Sequence, residues 1–413
     1  MRYLAFPTDL VRGPMIRRYE QEFARTIGVR HAISFLAGRV GLYGLLRALG
    51  VGPGDEVLLQ APTHIVVANA IRFTGARPVY VDCRLDTYSM DLEQAERRIT
   101  PRTRVLLLQH TFGIPVDMDA AMALASEHGL EVIEDCVHSL GATYAGKPLG
   151  SFGRAAFFST EETKTISTTM GGMVVTDDVE LADRMARYQA GCAWPSAGLT
   201  ARYLLKLLAY QVLTQPSLHG HVRALYERIG QRQPLPRPTS ASELRGERPP
   251  RYEQRLTNAQ AAVGLRQLRR LAGNVSHRRR VGDAISDWLS QRAIDTPAQP
   301  RAAQAALVRY PLWVTDRAQA IRATRDRVVL GTWFTSVLEE ATSPAAGDYT
   351  MGSCPRAETA ARHLVNLPTH QRVRVDDVEE LVTTLDRHAL LRRHSPSALA
   401  GEGRGRVPVR HWQ

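Results

Sequence analysis

Apolar residues along the chain fall into two alternating kinds of run. Short, nearly continuous apolar blocks read as strands: HAISF (31-35), EVLLQ (56-60), PVYVD (78-82), RVLLLQ (104-109), LEVIED (130-135), AAFFS (155-159) and GMVVT (172-176). Between them lie GRVGLYGLLRAL, HIVVANAIRFTG, DLEQAERRI and MDAAMALASEHG, whose apolar residues recur at helical spacing. This alternation predicts an α/β fold with a mostly parallel seven-stranded sheet covered by helices on both faces. Ligands of such sheets lie outside the carboxyl ends of the strands.

Further along, residues 257-293 read as two long helices, TNAQAAVGLRQLRRLAG and NVSHRRRVGDAISDWLSQR. LVRYPLWV (307-314) opens a second, smaller αβ unit, and VDDVEELVTTLDRHALLRR (375-393) closes it with a helix. The expected division is a large domain over 1-250, helices and a small αβ domain over 251-391, and a disordered tail over 392-413. Within the large domain, 195-250 reads as an insertion. A helical pair interrupted at Pro216 leads into a mobile, Pro-rich polar loop at 231-251.

Composition changes this picture little. Of 413 residues, 44% are hydrophobic and 23% charged, the balance of a soluble globular protein. No stretch approaches the roughly 20 apolar residues of a membrane span. MRYLAFPTDL lacks the apolar core of a signal peptide, so the expected location is cytoplasmic. Cys83, Cys136, Cys192 and Cys354 are far apart, which argues against a disulfide framework or a structural metal, and Cys136 reads as a small core residue. The net charge of +12 comes largely from scattered arginine without a recognition helix or stacking platform, so no nucleic-acid partner is expected.

Candidate chemistry begins with the lysines. Of 53 basic residues only Lys147, Lys164 and Lys206 are lysines. Lys164 stands in FFSTEETKTISTTMGGMVV, where arginine would serve solubility equally well but would form no imine. An ordinary surface lysine is the alternative, and the neighbouring strand ends decide between them. Asp135 ends LEVIED and Ser159 ends AAFFS. A carboxylate, an amine and a hydroxyl at neighbouring strand ends suit pyridoxal 5'-phosphate: the lysine forms an imine, the carboxylate keeps the pyridine nitrogen protonated, and the hydroxyl holds the phosphate. Gly38 and Arg39 open a helix directly after HAISF, a site for the same phosphate.

Four motifs carry a family resemblance over about residues 15 to 390: GVGPGDEVLL, VIEDCVHSLGATYAGKPLGSFGRAAFFSTEETK, RLTNAQAAVGLRQLRRL and CPRAETAARHLVNLPTH. The sequence resembles the DegT/StrS family of sugar aminotransferases, pyridoxal-phosphate enzymes of fold type I. Position by position, the resemblance implies that Lys164 is the imine-forming lysine, Asp135 the partner of the pyridine nitrogen and Ser159 a phosphate ligand. His138 stands where the family has a Gln or His near the phenolic oxygen, and His64 where an aromatic stacks on the cofactor. Gly38 keeps the glycine of the phosphate turn, and Arg39 replaces its threonine. Two departures mark a divergent branch: Thr169-Met170-Gly171-Gly172 replaces "GEGG", and Glu253 falls at an asparagine that reaches the neighbouring subunit's phosphate.

The resemblance implies amino transfer from Glu or Gln to a keto-sugar or keto-cyclitol, nucleotide-linked, in a homodimer with shared sites. A dehydrase or racemase of the same fold, or a catalytically weak cofactor-binding regulator, is the alternative; dehydrating members lack the lysine. The insertion leaves two readings open. In ARYLLKLLAYQVL, Leu204, Leu205, Leu208 and Val212 share a helical face, which packs on the domain or a partner, or rests on a membrane through 200-230.

Overall fold

The computed structural model describes residues 7–213, 239–325, 328 and 330–393. Its central sheet is built from β1 (His31–Phe35), β2 (Glu56–Gln60), β3 (Arg77–Val81), β4 (Thr103–Gln109), β5 (Glu131–Asp135), β6 (Ala155–Ser159) and β7 (Gly172–Thr176). These seven strands stand in the order β1-β7-β6-β5-β4-β2-β3. β7 runs antiparallel to both β1 and β6, and the pairings from β6 to β3 are all parallel. The near-continuous apolar runs follow from burial on both faces. Val57, Leu59, Val105 and Leu107 enter one core, and Leu58, Leu106 and Leu108 enter the other.

The principal helices are α1 (Met15–Ile27), α2 (Gly38–Ala48), α3 (Ile65–Arg72), α4 (Met118–His128), α5 (Val179–Gly191), α6 (Ala197–Leu213), α7 (Asn258–Leu268), α8 (Leu271–Ser290), α9 (Pro355–His363) and α10 (Val375–Arg387). Local chemistry sets their ends. Asp178 caps α5 by accepting the Leu181 N–H at 2.9 Å, and Gly129 closes α4 in a left-handed conformation (φ 64°). His64, expected inside a helix, instead caps α3. The break between the two long helices falls at Arg269–Arg270, a few residues before the expected seam at 273/274.

A third core lies beneath the antiparallel pair β8 (Arg309–Trp313) and β9 (Leu364–Pro368). α8 serves two cores: Leu271 and Val275 pack with the sheet, and Val281, Ile285 and Leu289 pack beneath β8 and β9. Leu338–Glu339 pairs in parallel with Thr63–His64, tying the later chain to the end of β2. Pro216, the second helix of the expected pair, the 214–230 part of the proposed membrane segment, residues 231–238 of the Pro-rich loop and the tail from residue 394 lie outside the described residues. The second half of that loop carries a capped helical turn, Ala241–Leu244. Among the described residues, no helix is long and apolar enough to cross a membrane.

Candidate active site

The carboxyl ends of β5 and β6 meet as the sequence pattern implies. Asp135 ends β5 with 1% of its surface exposed, and its Oδ1 accepts the Val137 N–H at 3.1 Å. Burial pushes its carboxyl up to about 7, against an opposing pull from Lys164. Lys164 follows β6 in a turn closed by its own N–H to Glu161 O at 3.1 Å. Burial brings its amine down to about 8, with Glu161 and Asp135 opposing and Arg309 adding to the fall.

Ser159 and Gly38 meet at the start of α2. A Cβ on Gly38 would stand 3.0 Å from Phe158 O and 3.5 Å from Ser159 Cβ, and one on Gly172 would stand 2.4 Å from Gly38 N. Glycine at both positions lets β6 and β7 press against the helix start. Ala37 precedes α2 in extended conformation without a side-chain cap, so the first amides of the helix form a cradle fit for an anion. At the same helix start, Arg39 Nε lies 2.7 Å from Glu243 Oε1. Glu253 pairs with Arg248, whose guanidinium lies 4.6 Å from the Tyr43 ring.

His64 and His138 flank the same space. His64 Nδ1 accepts the Val66 N–H at 3.3 Å, and its Nε2 lies 3.3 Å from Glu340 Oε2. His138 Nδ1 accepts the Phe112 N–H at 3.3 Å, which leaves Nε2 as the protonated nitrogen. Burial, then Lys164, Arg309 and His64, hold its pKa well below the usual histidine value, so the ring is a neutral donor. Its imidazole stacks on Trp333 with centroids 4.6 Å apart and planes 11° from parallel.

Several residues here escaped the sequence reading. Trp333 gathers Lys164 Nζ and the Arg309 guanidinium at 4.6 and 4.3 Å from its ring centroid. Trp333 lies in an aperiodic segment that gives no signal, whereas Arg309 was visible as a lone cation within the apolar LVRYPLWV. A ladder of side-chain amides fixes the Lys164 loop from behind: Gln260 donates to Met170 O (2.7 Å), Gln267 to Ser167 O (3.1 Å) and Asn274 to Thr165 O (2.6 Å). Their seven-residue spacing, two helical turns, was legible in RLTNAQAAVGLRQLRRLAGN.

Glu134, next to Asp135, faces the other way and is fully engaged. It accepts amides of Gly150 (2.8 Å), Phe152 (2.8 Å) and Gly153 (2.9 Å), and lies 3.3 Å from His110 Nε2. Burial raises its pKa, but His110 and these amides outweigh burial and keep it ionised. His110, Glu134 and Cys136 approach one another as metal ligands would. His110 Nδ1 already accepts the Val116 N–H at 3.2 Å, however, so Nε2 carries the proton and has no lone pair to offer. This trio is a staple for the loop after β5.

Comparison with known proteins agrees with the geometry. The DegT/DnrJ/EryC1/StrS aminotransferase family matches residues 7–386. The spore coat polysaccharide biosynthesis protein SpsC of Bacillus subtilis is 31% identical over 382 residues, covering 90% of this chain and 89% of its own. GDP-perosamine synthase of Caulobacter vibrioides is 30% identical over 383 residues, covering 91% and 90%. Among solved structures, S. venezuelae DesV superposes with a TM-score of 0.70 at 29% identity, over 92% of this chain and 90% of that one.

Proposed function

The chain belongs to the DegT/DnrJ/EryC1/StrS aminotransferase family, and from that premise we propose that it transfers an amino group from Glu or Gln to a keto-sugar or keto-cyclitol, nucleotide-linked, with pyridoxal phosphate as cofactor. One observation carries the proposal: the buried Asp135 carboxyl and the Ser159 hydroxyl end neighbouring parallel strands, with the Lys164 amine just beyond and the uncapped start of α2 beside Ser159. The nucleotide link draws support from GDP-perosamine synthase, which spans nearly the whole chain.

When bound, pyridoxal phosphate supplies an electron sink for the donor's Cα–H bond. The chain supplies the rest. Lys164 would be the amine that holds the cofactor, and its free amine would be the base that moves a proton at the donor's Cα. Asp135 would accept a pyridine N–H, a cation that would stabilise the ionised carboxylate that burial otherwise disfavours. His138 Nε2–H would serve as donor to the phenolic oxygen, and His64, with Glu340 3.3 Å from its Nε2, would stack on the ring. Ser159 and the amides of Gly38 and Arg39 would take the phosphate, and the Arg39 guanidinium, paired with Glu243, would act by neutralising that carboxylate. A homodimer sharing its sites is part of the proposal. Lysine at 164 disfavours the dehydrase reading.

Exchange is the test. L-glutamate should remove the visible absorbance of the cofactor-loaded protein, and a nucleotide-linked keto-sugar should restore it with formation of the amino sugar, read by mass spectrometry. Loaded protein that exchanges with neither glutamate nor glutamine would leave the regulatory alternative standing.

A further inference from the structure

β1 lies at the margin of the sheet, with β7 on one side. Its register with β7 is unbroken from His31↔Thr176 to Phe35↔Gly172, so the backbone groups of alternate residues turn away from β7. Those residues are Arg30, Ala32, Ser34 and Leu36. Three of them are met from elsewhere in the chain. Arg30 N–H donates to Asp177 Oδ1 at 2.8 Å, Ser34 N–H to Glu20 Oε1 at 2.9 Å and Leu36 N–H to Gln254 O at 3.0 Å. Ser34 O in turn accepts Gln189 Nε2–H at 2.8 Å. Among the described residues, nothing meets the N–H and C=O of Ala32.

Ala32 lines a cleft of about 350 Å³ between α1 and α5, within the size range of small-molecule sites. Ala24, Ala182 and Ala186 keep its walls apart. The two ends differ in charge. Beside Ser34, Glu20 Oε1 takes the Ser34 N–H, the Ser34 Oγ–H (2.7 Å) and a Gln189 Nε2–H (2.9 Å), which leaves Oε2 without a hydrogen bond among the described residues. At the start of the strand stand Arg30, whose guanidinium donates to Asp177 O, and His31. Arg17 and Asp183, both exposed, also line the cleft and offset one another in charge. Length sets a limit too. Arg30 and Ser34 are about 13 Å apart along an extended strand, so two or three residues fit between them and a longer strand meets the side chains at either end.

We propose that this cleft binds a short zwitterionic peptide of two or three residues. Its backbone pairs with the open edge at Ala32, its ammonium meets Glu20 Oε2, and its carboxylate lies toward Arg30 and His31. The site is separate from the proposed amino transfer: β1 runs in the same direction as β6, so its start lies at the side of the sheet opposite Asp135 and Ser159.

Titration calorimetry of cofactor-loaded protein with triglycine tests this. Wild type should bind one triglycine per chain with the visible absorbance of the cofactor unchanged. N-acetyl-triglycine, which lacks the ammonium, should bind about 10- to 100-fold more weakly, as loss of a charge-assisted hydrogen bond does. Glu20→Gln keeps an acceptor for Ser34 but removes the charge, and should weaken triglycine to the same extent. Ala186→Trp, at an exposed position of α5, fills the cleft and should abolish binding. No binding by wild type, or equal affinity in wild type, Glu20→Gln and Ala186→Trp, overturns the inference. So does triglycine that changes the visible absorbance, which would place it at the cofactor.

Discussion

Arg39 Nε lies 2.7 Å from Glu243 Oε1 at the start of α2, with only 15% and 3% of the two side chains exposed. Breaking such a pair strands a buried charge. Arg39→Ala should cost about 3 kcal/mol of stability and should also weaken pyridoxal phosphate, because an uncompensated Glu243 repels the phosphate. Adding Glu243→Gln to Arg39→Ala should restore most of the cofactor affinity, measured by fluorescence titration. Equal weakness in the single and double variants would mean that the guanidinium touches the phosphate directly.

Borohydride reduction of the yellow loaded protein should fix the cofactor to Lys164, located by peptide mass spectrometry. Lys164→Ala should lose both the adduct and the exchange with glutamate. Label on Lys147 or Lys206 would move the site.

Asp135 makes a prediction about pH in the cofactor-free protein. Its carboxyl titrates near 3.8 when unfolded and about 7 when folded. Between those values the folded state keeps a proton that the unfolded chain has released, so unfolding free energy falls as pH rises from about 4 to 7, by roughly 1.4 kcal/mol per unit at most. Asp135→Asn should flatten this slope in urea titrations. Cofactor should flatten it too, by giving the carboxylate a cation. The same variant should lose several orders of magnitude in turnover, since a neutral amide no longer holds the charge on the ring nitrogen.

On α6, Leu205 and Leu208 are 65% and 58% exposed, while Lys206 reaches back to Glu162 at 2.7 Å and Tyr203 O accepts Thr169 Oγ1–H at 3.1 Å. The helix therefore turns apolar side chains outward beside the Lys164 loop. We expect a second copy of the chain to cover them: Leu205→Asp with Leu208→Asp should shift the protein toward monomer in analytical ultracentrifugation. Wild type should stay in the supernatant with anionic liposomes, and co-sedimentation would favour the membrane reading instead.

The sheet was legible because buried parallel strands write themselves as unbroken apolar runs, and a polar residue that ends such a run, as Asp135 and Ser159 do, marks the functional edge. The partners of those residues were less visible. Glu243 meets Arg39, and Glu340 meets His64, only through the folded chain, and no local period links them. Trp333 sits in a segment without helical or strand rhythm. The amides of Gln260, Gln267 and Asn274 did carry a period, but on helices whose apolar face alone had been read.

Where β7 is inserted also orders events during synthesis. β1 emerges first among the sheet strands, yet among the described residues its one neighbour in the sheet is β7, which emerges last. Until then β1 has no strand to pair with, and α2 lacks Gly172 against its first turn. His64 waits longer still, because Leu338–Glu339 and Glu340 leave the ribosome after the whole sheet has been made. Pairing between such distant segments is slow to form, and domains assemble as units during translation. A nascent chain stalled before residue 338 would therefore hold Lys164 and Asp135 in a folded sheet while His64 still lacked the strand and the carboxylate that meet it. The surroundings of His64 are complete only near the end of synthesis.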